Sequence, residues 1–183
     1  MKKLALFILL ILTTATCCKK DEEEQPVNQI DLLPPATQTG ANTAGCLVNG
    51  KAFLPGGTHP MPLKCDYYQQ QYFGLSLNYR TKDNTIYTVR IEVAEHLVVG
   101  QSYLLTLEDY ITGQDGNWAA YDKDTPPPPA PHHYGTNDTY TGELTITHHD
   151  FDNMILSGTF WFDAVNSEGE VVHVTEGRFD CEY

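Results

Sequence analysis

Two adjacent histidines and two nearby aspartates form the densest group of potential metal ligands in the 183-residue chain. His148 and His149 precede Asp150 and Asp152, and imidazole and carboxylate groups both bind divalent metals. Adjacent residues of a β-strand point to opposite faces of the sheet, so we do not expect both imidazoles to reach one ion. The group also falls where the pattern predicts a hairpin turn. We therefore interpret it as a polar turn and predict no metal site and no cofactor.

A second histidine pair, His132-His133, follows a run of prolines. It could approach the first pair, but no spacing supports a four-histidine site. The sequence contains no Gly-x-Ser-x-Gly elbow and no glycine-rich phosphate loop. Among 24 acidic residues, some pair will by chance have the separation that glycosidases use. We predict no catalytic residue, leave enzymatic activity open and favour a protein without it.

Four aromatic residues are candidates for ligand contacts, because exposed rings stack on the apolar faces of sugars or anchor protein partners. They are Trp118, Tyr121, Tyr134 and Trp161, and Tyr140 lies near them in the sequence. In β-rich domains most aromatic side chains pack in the core or against neighbouring strands. Packing is therefore the favoured interpretation for Trp118 and its neighbours, and ligand contact is the alternative.

Three cysteines lie beyond the N-terminal region: Cys46, Cys65 and Cys181. An exported chain meets an oxidising compartment, so we expect one disulfide and one leftover thiol. The sequence leaves the pairing open, although Cys46 lies in the first predicted strand and Cys181 in the last. No Cys-x-x-Cys spacing supports zinc binding or thioredoxin-like chemistry.

The N-terminus has the organisation of a secretion signal that ends at a cysteine. Two lysines precede the apolar run Leu4–Leu12, which is far shorter than the ~20 residues of a membrane-spanning helix. Residues 12–17 resemble a bacterial lipobox, which implies that residues 1–16 are a signal peptide and that Cys17 becomes acylated. Cys18 is the alternative acylated residue. Two or more acyl chains anchor a protein firmly where one gives marginal binding.

Directly after the cysteines, residues 19–24 read Lys-Lys-Asp-Glu-Glu-Glu. This charge run is similar to the export signal of surface lipoproteins in the Bacteroidota, and that resemblance implies an outer-membrane protein exposed on the cell surface. The alternative is a solvated charge run that keeps a tether disordered. By either interpretation the membrane is a partner through the N-terminal lipid.

Composition predicts one acidic domain. The signal holds two of the 11 basic residues and none of the 24 acidic ones, which leaves a formal charge of −15 on the 167-residue mature chain. This charge argues against a nucleic-acid partner. The polar segment before Gly45 contains several prolines and is typical of a spacer. We therefore predict a lipidated N-terminus and flexible tether over 17–43 and a single β-rich domain over 44–183.

Alternation of apolar and polar residues dominates that domain. It runs through residues 73–79, 87–93, 103–107, 140–147 and 154–162, and a period of two indicates half-buried antiparallel strands. Asn49-Gly50 is typical of a tight hairpin turn, and Glu176-Gly177 of a bulge or turn. The sequence predicts an all-β fold, an antiparallel β-sandwich or barrel-like sheet of about eight strands. Residues 109–137, with prolines from 126 to 131, are predicted to form a long Pro-rich surface loop.

Both ends of this region carry extended motifs. Residues 33–43 read LPPATQTGANT and run into GCLVNGKAF at 45–53; near the other end, SGTFWFDA is followed by TEGRFD. Together they closely resemble an uncharacterised family of small Bacteroidota lipoproteins. The resemblance implies lipidation and a β-rich fold, and it brings no catalytic residues.

These observations favour a cell-surface lipoprotein whose domain has a non-catalytic binding or structural role. The bound partner would be a glycan or a protein, and a glycan-binding accessory protein is the more specific form of this hypothesis. The alternative is an extracellular hydrolase that acts on a polymer. A cleft with two convergent acids would favour the hydrolase, and exposed aromatic residues on a flat face would favour binding. The oligomeric state is left open.

Overall fold

A computed structural model describes residues 27–107, 116–126 and 132–183. Within these ranges the chain forms one short 3₁₀ helix, Gln29–Leu32, and twelve strands. The strands are β1 Thr43–Val48, β2 Lys51–Phe53, β3 Gly56–Gly57, β4 Leu63–Tyr68, β5 Tyr72–Arg80, β6 Ile86–Val93, β7 Ser102–Leu105, β8 Trp118–Asp124, β9 His132–Gly135, β10 Gly142–Asp150, β11 Ile155–Val165 and β12 Val171–Glu182. The all-β prediction is confirmed. The count of about eight strands was too low: it lacked β3, β4, β8 and β9, of which β3 and β9 have only two and four residues and β8 does not alternate.

The strands form one mixed sheet that curls into a half-barrel. We call the two parts of this sheet its limbs. The first limb contains β2, β1, β12, β11, β10 and β7 in spatial order; the second contains β9, β8, β6 and β5, with β3 and β4 beside β5. The limbs meet where Val165 of β11 pairs with Gly135 of β9. Pairing between strands is antiparallel except between β3 and β5.

The predicted alternation places the core between the two limbs. In β5, Phe73, Leu75 and Leu77 are buried and point inward, as the period of two requires. Phe73 stacks on Phe179 of the opposite limb with a ring-centroid distance of 5.5 Å. The Asn49-Gly50 hairpin is also confirmed, since β1 and β2 pair directly on either side of it.

One disulfide joins the limbs. Cys65 of β4 is bonded to Cys181 of β12, with their Cα atoms 6.4 Å apart. Cys46 is a fully buried free thiol, and burial raises its pKa to about 12. Because the thiolate is the reactive form, Cys46 is chemically inert in the folded protein.

The prediction of a long surface loop over residues 109–137 was wrong for its central part. β8 lies inside the second limb, paired with β6 on one side and β9 on the other. Trp118, Ala119 and Ala120 are all buried, so this strand shows no alternation that the sequence could reveal. Residues 108–115 and 127–131, which include most of the proline run, lie outside the described residues.

The segment before β1 is held against the domain, although the sequence assigned it to the tether. The Asp180 carboxylate accepts hydrogen bonds from the Thr37 hydroxyl at 2.6 Å and from the backbone N–H groups of Thr39, Gly40 and Ala41. The Ser157 hydroxyl donates a further bond from β11 at 2.8 Å. We call this arrangement the Asp180 latch. The ordered domain therefore includes residues that were predicted to be a spacer.

Candidate functional site

A groove of about 400 Å³ crosses the outer face of the first limb. It lies over β10, β11 and β12, and the segment before β1 supplies one wall. We call it the Trp161 groove. Its lining residues are Ala36, Glu143, Thr145, Thr159, Phe160, Trp161, Thr175, Glu176, Gly177 and Arg178.

Strand register brings these side chains together. Thr145 of β10 lies opposite Thr159 of β11, and Thr159 lies opposite Arg178 of β12. Glu143 lies opposite Trp161 in the neighbouring row. Each row points away from the core because its residues alternate with buried ones. The result is a row of two hydroxyls and a guanidinium beside a row that contains a carboxylate and an indole.

A β-bulge shapes the β12 side of the groove. The register between β11 and β12 shifts between Phe160 and Phe162, and Glu176 has a φ of 55°. The bulge leaves both Thr175 and Glu176 exposed beside Trp161, where a regular strand would turn one of them inward. The predicted irregularity at Glu176-Gly177 is confirmed, but it lies inside β12 rather than before it.

Gly177 is required at this bulge. A Cβ atom there would overlap the Phe160 ring and lie 2.5 Å from the Phe160 carbonyl oxygen. The absence of a side chain lets the two strands approach closely.

The polar groups of the groove are mixed in charge. Arg178 donates to the Glu176 carboxylate at 3.3 Å and to its backbone carbonyl at 3.2 Å, which holds the guanidinium beside Glu176. The Thr145 hydroxyl donates to Glu143 at 3.2 Å. One guanidinium, two carboxylates and three threonine hydroxyls offer both donors and acceptors. Such a surface suits a neutral ligand with many hydroxyl groups better than a strongly charged one.

The Asp180 latch fixes the wall formed by Ala36. Ala36 directly precedes Thr37, whose hydroxyl is bound to Asp180. Gln38 also donates to the Thr147 carbonyl of β10 at 3.2 Å. This wall is therefore tied to two strands of the first limb.

Of the four aromatic candidates, Trp161 is the one that lies in this groove, with 43% of its surface exposed. Trp118 is 2% exposed on the outer face of the other limb, and the Arg90 guanidinium lies 5.9 Å from its ring centroid. Tyr121 and Tyr134 pair across β8 and β9 with their rings 5.9 Å apart and pack against the core. Burial raises the pKa of Tyr121 to about 12. The structure therefore does not bring these three residues together with Trp161.

The predicted polar turn was wrong for the two histidines, because His148 and His149 lie in β10 and the hairpin turn follows Asp150. Asp150 accepts backbone N–H bonds from Asp152 and Asn153, both at 3.0 Å. His149 lies among aromatic rings and bonds the Tyr183 hydroxyl at 3.0 Å, and its pKa is lowered chiefly by burial. His133 of the second pair bonds Asp122 at 2.7 Å. In the parts of the chain described above, no three His, Cys, Asp or Glu residues lie together so as to hold a metal ion.

Two further sequence predictions concern the N-terminal region. Cys17 and Cys18, the predicted lipidation residues, lie outside the described residues. Within residues 27–107, 116–126 and 132–183, no helix has the length and apolar character needed to cross a membrane.

Sequence reasoning identified one aromatic residue of the groove and missed its polar residues. Thr145, Thr159 and Glu143 occupy ordinary outward positions of predicted strands. Arg178 belongs to the TEGRFD motif, but the motif alone does not show which strand lies next to it. The missing information was the strand register.

The fold and the groove define an all-β domain built from one curled sheet, with a solvent-open groove on its outer face. Residues 75–180 match the family described as Domain of unknown function (DUF6252), and the chain belongs to that family. The prediction of an uncharacterised family is confirmed at this level. No curated protein and no solved structure matched the chain, so the residues of the groove carry the functional argument.

Proposed function

We propose that this chain is an outer-membrane lipoprotein exposed on the cell surface, whose non-catalytic domain binds a neutral glycan in the Trp161 groove. Support for the anchor comes from the sequence around Cys17 and from the charge run after it. Support for glycan binding comes from the composition and shape of the groove.

The observation that carries the binding proposal is the exposed indole of Trp161 beside a fixed guanidinium. Sugar rings present an apolar face that stacks on an aromatic ring, and their hydroxyls pair with planar side chains. Trp161 offers the ring, and Arg178 offers donors held by Glu176. The groove is open to solvent and about 400 Å³ in volume, which is within the usual range of small-molecule sites.

A glycan array with the purified mature protein tests this proposal directly. The best ligand is then titrated calorimetrically against wild type, Trp161→Ala and Tyr72→Ala. Tyr72 is a matched control because it is an exposed aromatic residue, 49% accessible, on the other limb. We expect Trp161→Ala to weaken binding by at least about tenfold, since a central aromatic contact is worth about 1.5 kcal/mol or more. Absence of any glycan ligand, or equal affinity of all three proteins, would refute the proposal.

The hydrolase hypothesis retains one supporting observation in the same groove. Glu143 and Glu176 lie on either side of Trp161, on strands separated by β11. Two strand spacings place their backbones about 9.6 Å apart, and both residues line the same groove. Turnover of an array-positive polymer, lost in both Glu143→Gln and Glu176→Gln, would favour the hydrolase. Binding without release of reducing ends would favour the non-catalytic protein.

Membrane anchoring is tested by substitution at the predicted acylation residues. Replacing both Cys17 and Cys18 by Ala should move the protein from the membrane fraction to the soluble fraction, because no acyl chain can then be attached. Retention in the membrane would contradict lipid anchoring.

Surface exposure is tested by replacing residues 19–24 with neutral residues, which should reduce digestion by protease added to whole cells. Unchanged digestion would contradict surface exposure.

A further inference from the structure

His149 lies where one end of β10 in the first limb meets β4 of the second limb. We propose that this residue makes the contact between the limbs sensitive to mild acid, because a proton on its imidazole weakens the packing of Tyr67 against β10. We call the contacts of His149 with Tyr67, Phe151 and Tyr183 the His149 junction. It lies on the inner side of the sheet, away from the Trp161 groove, and the inference does not depend on glycan binding.

A β-bulge turns His149 toward the core. The register between β10 and β11 shifts between Ile146 and His148. Beyond the shift His149 lies opposite Leu156, which is fully buried. Directly opposed residues of neighbouring strands lie on the same face of a sheet. Without the bulge, the alternation that buries Ile146 would turn His148 inward instead.

Three aromatic rings pack around the imidazole. Its centroid lies 3.8 Å from that of Phe151, 5.3 Å from that of Tyr67 and 5.7 Å from that of Tyr183. The rings of Tyr67 and Tyr183 also contact each other, with their centroids 5.6 Å apart. Because Tyr67 belongs to β4, this group of rings joins the two limbs.

Tyr67 extends the contact into the second limb. Its hydroxyl donates to the Gln70 carbonyl at 2.9 Å and accepts from the Leu97 N–H at 2.8 Å. The Nδ1 atom of His96 lies 3.4 Å from the same hydroxyl. Tyr67 and Leu97 are both buried. Movement of the Tyr67 ring away from His149 would therefore release the Leu97 amide.

The two imidazole nitrogens of His149 differ in their surroundings. Nε2 lies 3.0 Å from the Tyr183 hydroxyl, whereas Nδ1 is buried and has no hydrogen-bond partner among the residues that the structure describes. In the neutral imidazole one nitrogen carries no proton, and Nδ1 can be that nitrogen. Protonation places an N–H on Nδ1, and a buried charged donor without an acceptor is costly. The folded structure therefore favours the neutral form.

The charged groups near His149 have opposing effects on it. Burial is the main cause that lowers its pKa, and positive charge on His96 and His148 lowers it further. Asp150 acts in the opposite direction. The pKa of Asp150 is itself lowered, chiefly by its hydrogen bonds with Asn153, so its charge stays constant between pH 7 and 5. The two tyrosines of the junction are phenols and carry no charge in this range.

The lowered pKa determines the direction of the pH effect. In the unfolded chain a histidine has a pKa of about 6.5, and the folded-state pKa of His149 lies below its ordinary value. Between these two values the unfolded state binds more protons, so stability increases with pH. The contribution of neutral His149 is complete above about pH 6.5 and is lost as the pH falls toward the folded-state pKa.

The disulfide confines the change to one end of the domain. Cys65 lies two residues before Tyr67, and Cys181 lies two residues before Tyr183. The Cys65–Cys181 bond therefore lies next to the junction and keeps the limbs joined when the ring contacts weaken. We expect acid to open the His149 junction without unfolding the strands beyond the disulfide.

An NMR titration of the histidine side chains in the purified mature protein tests the protonation step. The titration midpoint of His149 should lie at least about 0.5 pH units below its midpoint in the same protein unfolded by urea. This measurement needs only the wild-type chain, so it decides the question even if a variant fails to fold. An equal or higher midpoint in the folded protein would overturn the proposal.

Amide hydrogen exchange tests the structural consequence, since the protection factor of the Leu97 amide reports how often its bond to Tyr67 opens. From pH 7 to 5 this factor should fall at least about threefold in wild type, the change that corresponds to a pKa difference of about 0.5. It should stay nearly constant in His149→Phe, which keeps an aromatic ring but cannot be protonated. His132→Phe removes a histidine from an exposed position of β9 and should behave as wild type. No fall in wild type, or an equal fall in His149→Phe, would overturn the proposal.

Discussion

The Asp180 carboxylate and the Thr37 hydroxyl are joined by a 2.6 Å hydrogen bond across 143 residues of sequence. This bond connects the LPPATQTGANT motif near one end of the domain to the GRFD motif near the other. Asp180 is 1% exposed, and a buried carboxylate is stable only when donors surround it. The two motifs are therefore parts of one structural unit, the Asp180 latch.

Replacing Asp180 by Asn should destabilise the domain by about 3 kcal/mol. The backbone N–H donors would lose their charged acceptor, and some of them would face the amide nitrogen, which cannot accept a hydrogen bond. Urea unfolding of wild type and Asp180→Asn measures this difference. Glu182→Gln is the matched control, since Glu182 lies two residues along the same strand and is exposed; it should change stability by less than about 0.5 kcal/mol. Equal stability of wild type and Asp180→Asn would contradict the latch.

The latch should also be sensitive to acid. Burial raises the pKa of Asp180, but the hydrogen bonds from Thr37, Thr39, Ala41 and Gly40 outweigh it and hold the pKa well below the ordinary value. A depressed folded-state pKa stabilises the protein above the unfolded-state pKa of about 3.9 and loses this effect as the pH falls toward the folded-state pKa. The stability difference between wild type and Asp180→Asn should therefore be constant from pH 7 to 5 and shrink below about pH 4. A difference that is independent of pH down to 2 would contradict this assignment.

Two glycines should respond in opposite ways to alanine. Gly177→Ala places a Cβ against Phe160 and should destabilise the domain by about 2–3 kcal/mol through overpacking at the bulge. Gly74→Ala adds a Cβ in open space within a strand, and it should be neutral or stabilise by a few tenths of a kcal/mol. Thermal unfolding of both variants measures the contrast. A stable Gly177→Ala would show that the bulge can relax.

The sequence predicted those parts of the fold that alternate. The apolar residues of β5 and β6 are buried as expected, and the turns at Asn49-Gly50 and Asn166–Gly169 follow from their residue types. Two of the predicted alternating series included residues that lie outside the strands. Tyr140 follows a turn capped by Asn137, and Met154 has a φ of 54° in a hairpin turn. In both places a local backbone hydrogen bond or turn geometry replaced the strand.

The remaining features depend on contacts between distant residues. β8 was missed because Ala119 and Ala120 are buried on consecutive positions, and the ordered segment before β1 was missed because its partner, Asp180, lies far along the chain. The Trp161 groove required the β10–β11–β12 register and the bulge at Glu176. A single sequence gives the residue types of such sites without showing which strands are neighbours.

The cysteines provide a last test of how the limbs are joined. The Cys65–Cys181 bond closes a loop of 116 residues, and its removal should cost about 5 kcal/mol through the entropy of the unfolded chain. Urea unfolding of Cys65→Ser/Cys181→Ser measures this cost.

In a Cys17→Ser/Cys18→Ser background, a thiol reagent should label no cysteine in the native protein and one, Cys46, after unfolding without reductant. Labelling of the native protein would show that Cys46 is accessible. Two or more labels in addition to that on Cys46 after unfolding would show that Cys65 and Cys181 are not bonded.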